Sequence, residues 1–247
     1  MSEALLNPYM GPVSMAPVDA RSTFLRQVAL KTAGSLSIVG VTATAASLGL
    51  VSLLVAGVAL PWFVQLGVMV GGLYGSQWIG YSMIASPSAG TRIAGVTIGS
   101  AMLGVALSFV LVMAALVGIS AYDEPLAALY LPFQALLLVG LTVVGMVGYL
   151  LVAPRNLSMV TAALSVLTLP MIALMVLTAV FPIGGLVGVL VSAAFVAISA
   201  GGLLVSLNRV IRELGVDQST RAAFELTVGI VLLFWNILSL LSRLNNR

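Results

Sequence analysis

No Lys, Arg, Asp or Glu occurs between Lys31 and Arg92, between Arg92 and Asp123, between Glu124 and Arg155, or between Arg155 and Arg209. Each stretch is long enough for one or two bilayer crossings, at about 20 apolar residues per helical span. Only 7% of the residues are charged, against roughly 25% in an average soluble domain. A soluble fold of this size could not cover its surface with so few. The mean hydropathy of +1.19 points the same way, and the chain reads as an all-α polytopic membrane protein. The same runs leave the membrane interior nearly empty of the charges that pumps, channels and intramembrane enzymes use.

There is no Cys and no His. Disulfides, thiolate chemistry, Cys/His zinc sites and haem ligation through His or Cys are thereby removed. So is Ser-His and Cys-His catalysis. No pair of acids stands at membrane depth, so no general acid/base set is visible, and neither an enzyme nor a cofactor is expected. The net charge of +3 comes from ten basic and seven acidic residues. The basic residues sit singly at span ends and form no patch interleaved with aromatics, so no nucleic-acid role follows.

The punctuation of the chain predicts a seven-transmembrane-helix bundle. Residues 1–28 are polar and Pro-bearing, and read as an extramembrane tail, partly disordered. Residues 29–243 form the membrane domain and residues 244–247 a short C-terminal tail. The spans fall at about 32–58, 62–85, 93–119, 127–152, 159–180, 186–207 and 222–241. Turns between them carry Pro61, Ser86-Pro87-Ser88, Asp123-Glu124-Pro125, Pro154-Arg155-Asn156 and Pro182. A barrel would show short alternating segments, which are missing from this pattern. Placing the N-terminus inside puts Arg21, Arg26, Lys31, Arg92, Arg155, Arg209, Arg212 and Arg221 on one side, and Asp123-Glu124 on the other. Only Arg243 and Arg247 depart from that bias.

Small residues mark candidate helix contacts. Gly67, Gly71 and Gly75 recur every four residues, as do Gly95 with Gly99 and Gly184 with Gly188. Packing within the bundle and a homodimer face both fit them. Pro170 falls within the fifth predicted span and should kink it, giving either a hinge or simply shape. Tyr74, Gln77, Gln134, Tyr149 and Asn236 lie at membrane depth, either bridging helices or lining a solute path. Glu225 is the acid placed within a span. It follows Arg221 by four residues, so it is either an interfacial carboxylate paired with Arg221 or a buried ion or proton site. Asn208 and Asn236 are its candidate co-ligands. Arg209, Arg212 and Arg221 belong to the most charged segment, an inner loop available for docking a partner.

Three segments together resemble the Bax inhibitor family, the transmembrane Bax inhibitor motif proteins that include bacterial YccA-like members. They are Phe24-Leu25-Arg26-Gln27-Val28, then Gly148-Tyr149 running into Pro154-Arg155-Asn156-Leu157-Ser158, and Leu233-Phe234-Trp235-Asn236-Ile237-Leu238 near the C-terminus. The resemblance covers about residues 24–243. It implies seven spans with the N-terminus inside, a bacterial plasma membrane, and either a calcium- or proton-sensitive cation leak or regulation through bound membrane partners. In that family the leak resembles a gate of two carboxylates, in spans six and seven, with a basic residue in span two. Two acids held together can share a proton, which makes such a gate pH-dependent. Here the two acid positions fall at Leu207 and Gly229, and span two has no basic residue. The expectation is a non-enzymatic membrane protein that binds a membrane protein partner and has lost the gate. A cation leak through Glu225 is the alternative.

Overall fold

The computed structural model describes residues 12–58, 60–152, 157, 160–164, 166–167 and 185–245. Six long helices carry almost all of this: α1 Val18–Val55, α2 Trp62–Ile84, α3 Ala89–Tyr122, α4 Tyr130–Val152, α5 Gly185–Arg212 and α6 Ser219–Asn245. Two 3-10 turns, Val13–Met15 and Pro125–Leu129, precede α1 and α4. Five helical segments are long and apolar enough to cross a membrane: Val18–Val55, Ala89–Tyr122, Leu126–Leu150, Gly185–Arg212 and Ser219–Asn245. The protein is an all-helical integral membrane protein. The predicted span at 159–180, with its candidate hinge Pro170, lies mostly outside the described residues, and Pro170 itself is among those not described.

Several boundaries move from the sequence expectation. Helix α1 begins at Val18 rather than at residue 32, with Asp19 in its first turn where the helix dipole favours an acid. Its 38 residues span about 57 Å at 1.5 Å each, well beyond a hydrocarbon core of about 30 Å. The charged end, holding Asp19, Arg21, Arg26 and Lys31, is the part that overhangs. The helix stops at Gly57, whose φ of +76° only glycine adopts freely. There the Gly57 N–H donates to Leu54 and the Val58 N–H to Leu53, closing the last turn on itself.

The stretch expected as an N-terminal tail is packed from Val13 onward. Val13, Phe24 and Val28 are buried in the main apolar cluster. The Val13 N–H donates to the Leu214 carbonyl at 2.9 Å, Ser14 Oγ donates to the Arg212 carbonyl at 2.9 Å, and Pro12 bridges Gly215. Residues 12–16 thus strap the turn between α5 and α6. At the other end of the chain, α6 runs to Asn245, past the expected start of a tail.

Helices α3 and α6 form the centre. Helix α3 packs against α1, α2 and α6, and α6 packs against α1, α3, α4 and α5. Small residues set the closest approaches. Gly104 meets Thr42 of α1, and a Cβ built on Gly72 would lie 2.6 Å from Ala106 Cβ. Gly95 sits under Met83 and the Gly80 carbonyl, and Gly99 under Phe224 and the Ser76 carbonyl. Phe224 of α6 is fully buried. Its ring fills the space left by Gly80 and Gly99 and meets Tyr81 edge-on at 5.3 Å.

The predicted stripe on α2 is corrected by this arrangement. Gly67 and Gly71 face open space, and Gly75 meets only the mobile end of Met102. The helix instead docks through Gly72, Ser76 and Gly80, a parallel stripe of small residues five positions along. The outward faces carry Trp78, Leu136, Leu141 and Val144, each well exposed in the isolated chain. Lipid tails cover such surface without penalty.

Candidate functional site

Asn208, Arg209, Arg212, Arg221 and Glu225 converge on the α5–α6 corner. Helix α5 continues through Asn208, Arg209 and Arg212, so these residues sit in its last turn rather than in a loop. Cations there complement the negative end of the helix dipole. The connection to α6 is short, and it is held in place by buried Leu214 and Val216.

Helices α5 and α6 run antiparallel, so the last turn of α5 faces the second turn of α6. Arg209 Nη1 donates to Glu225 Oε1 at 3.0 Å. The Glu225 side chain is 10% exposed and that of Arg209 43%. A carboxylate this deep needs a cationic partner. Arg209 supplies it from a half-exposed position at the end of α5. The expected Arg221 partner is therefore corrected. Arg221 is exposed and turns toward the ends of α2 and α3. Four-residue spacing alone favoured Arg221, but the partner that reaches Glu225 belongs to the neighbouring helix.

One helical turn along α6 from Glu225, the space beside Gly229 is filled by packing. A Cβ on Gly229 would lie 2.9 Å from Leu203 Cδ1, so Leu203 occupies the space beside it. Leu207, one turn further along α5, is buried in the same apolar cluster as Leu203 and Leu226.

Asn208 is 7% exposed, and its Oδ1 has no hydrogen-bond partner among the described residues. Asn236 is only half-buried. It lies eleven positions beyond Glu225 on α6, which is about 16 Å along the axis. Asn208 thus stays at the corner with Arg209 and Glu225, and Asn236 does not join them. Arg212 Nη2 donates to the Leu150 carbonyl of α4 at 3.3 Å. Of the three arginines expected to offer a docking surface, Arg209 and Arg212 are engaged with their own chain and Arg221 stands outward. The exposed charges of the corner are Glu213, Asp217 and Arg221.

Lys31 is a residue whose role the sequence did not reveal beyond topology. Its Nζ donates to Ser219 Oγ at 2.8 Å and Thr220 Oγ1 at 3.0 Å, tying α1 to the start of α6. The signal was faint: a lone Lys before an apolar run marks a membrane edge in any such protein. Among the described residues no three Asp or Glu side chains gather closely enough to hold a metal ion. No family model matches this sequence, and no curated protein or solved structure proves similar to it.

Proposed function

We propose that this chain is a non-enzymatic membrane subunit that binds or regulates another membrane protein, with the carboxylate gate of the resembling Bax inhibitor family replaced by packing. The observation that carries the reading is the filled contact between Leu203 and Gly229, beside a Glu225 already neutralised by Arg209. An ion path needs polar space at membrane depth, and here that space holds leucine. The partner surface is the α5–α6 turn. Glu213, Asp217 and Arg221 stand exposed on a base fixed by buried Leu214, Val216 and Ser219. A fixed array of opposite charges gives orientation and partner choice more than raw affinity. The seven-span count, a cytoplasmic N-terminus and a bacterial plasma membrane complete the proposal.

Affinity purification in mild detergent tests it. A second membrane protein should copurify in fixed ratio, and Glu213→Lys should release it. A chain that runs alone in every preparation ends this reading.

One observation favours the cation leak instead. The orphan Oδ1 of Asn208 lies buried next to the residue that pairs with Glu225. With no acidic cluster among the described residues, a proton or monovalent cation fits better than calcium, which takes six to eight oxygens. Flux in reconstituted vesicles that disappears in Glu225→Gln would replace the partner reading with this one.

A further inference from the structure

An open cleft of about 410 Å³ lies where the end of α2 meets the starts of α3 and α6. Arg92 and Arg221 line it, with Asp217 and Thr220 on one side and Ile84 and Ala85 on the other. Arg92 falls in the first turns of α3 and Arg221 in the first turn of α6. Both are the positive ends of helix dipoles, where a cation is disfavoured. Neither helix has an acid in its first turn, and Ser88 places no side-chain cap on α3. Neither arginine side chain forms a hydrogen bond or an ion pair among the described residues. Two cations and two helix starts therefore face one Asp across the cleft. That excess of positive charge is costly unless an anion sits in the cleft.

We propose that this cleft binds the phosphate of an anionic phospholipid head group. The chemistry of the arginines is that of phosphate recognition, with planar donors able to bind two oxygens at once. The placement selects a lipid over a soluble anion. The cleft lies at the ends of three helices, at the level where the hydrocarbon stops. Trp78, on α2, is 79% exposed, as suits an indole at the membrane interface. Ile93, next to Arg92, is 66% exposed and offers an apolar seat for an acyl chain. Basic pockets between helices at this level hold lipid head groups. The cleft shares Arg221 and Asp217 with the turn assigned to the partner, and Arg92, which lies outside that turn, separates the two readings.

The test is native mass spectrometry of the full chain, purified in mild detergent and exchanged into vesicles of equal phosphatidylglycerol and phosphatidylcholine. The wild type should retain phosphatidylglycerol in preference to phosphatidylcholine. Arg92→Gln and Arg221→Gln should each weaken retention by about fivefold, the worth of one interfacial charge. Asp217→Asn should strengthen it, and this variant keeps the test alive if an arginine variant fails to fold. Arg26→Gln, an exposed cation on α1 away from the cleft, should change nothing. Equal retention of the two lipids, or retention indifferent to Arg92, Arg221 and Asp217 together, overturns the proposal. Displacement of the lipid by millimolar inorganic phosphate also overturns it, because the site would then belong to a soluble anion.

Discussion

Arg209 on α5 and Glu225 on α6 close an ion pair at 3.0 Å in which the acid is buried and the base is half in solvent. That asymmetry predicts unequal consequences for the two halves. Removing Arg209 strands a charge in a poorly hydrated site, and Arg209→Gln should cost about 3 kcal/mol, the lower end for breaking a buried pair. Removing Glu225 leaves an arginine that can swing to water, and Glu225→Gln should cost about 1 kcal/mol, near the value of an exposed pair. The double variant should resemble Glu225→Gln alone. Thermal unfolding in one detergent, with all four proteins compared, gives the coupling directly. Equal losses in the two single variants would contradict the assigned burial.

The seat of Phe224 gives a second prediction. Gly80 and Gly99 leave the space its ring occupies, with built Cβ atoms only 2.6 and 2.7 Å from ring carbons. Gly80→Ala and Gly99→Ala should each destabilise by about 1–3 kcal/mol through overpacking. Gly99 is the more severe site because the Ser76 carbonyl closes its other side at 3.1 Å and cannot move as a side chain can. Gly67→Ala, which faces open space, should stay within about 0.5 kcal/mol of the wild type. Adding Phe224→Leu to Gly99→Ala should recover part of the loss, which separates a steric clash from a general helix effect.

The glycine stripes also show where the sequence ran out. Helix α2 offers two sets of small residues at four-residue spacing, Gly67-Gly71-Gly75 and Gly72-Ser76-Gly80. Periodicity detects both and cannot say which one turns toward α3, because every face of α2 is apolar. The deciding fact is Phe224, far along the chain on another helix. The same limit misassigned the partner of Glu225: Arg221 is close in sequence, Arg209 is close in space. What one stretch of chain decides alone was legible, including helices over the described parts of the charge-free runs, the breaks at Pro61 and Asp123, and the membrane class. The N-terminal strap was hidden because Pro8, Pro12 and Pro17 look like a disordered lead-in, whereas Val13 finds its place only against Leu214.

Asn208 supplies a third prediction. Its Oδ1 is buried without a partner, which costs about 1–3 kcal/mol for an unsatisfied polar group. Asn208→Leu keeps the branching at Cγ in a larger side chain and removes that cost, so the unfolding temperature in detergent should rise, by up to about 1 kcal/mol in stability once packing differences are counted. A marked fall instead would mean that the amide is satisfied in the membrane by water or an ion. The leak reading would then gain its strongest support.

The strap supplies the last. Val13 is fully buried, donates its N–H to Leu214 and sits beneath the turn that joins α5 to α6. A carboxylate is costly to bury at that position, and Val13 sits at the edge of the cluster on a short segment, so Val13→Asp should expel the strap rather than unfold the bundle. The turn would lose the hydrogen bonds from Val13 and Ser14 but keep Leu214 and Val216 on the core, so it should loosen locally. Limited proteolysis should then cut between Arg212 and Arg221 in the variant while the wild type resists, with overall helicity unchanged by circular dichroism. Ser14→Ala, which removes only one side-chain hydrogen bond worth about 1 kcal/mol, should give a weaker version of the same pattern. If Val13→Asp leaves the turn as resistant as before, the strap does not hold it, and the rigidity that a docking surface requires must come from Leu214 and Val216 alone.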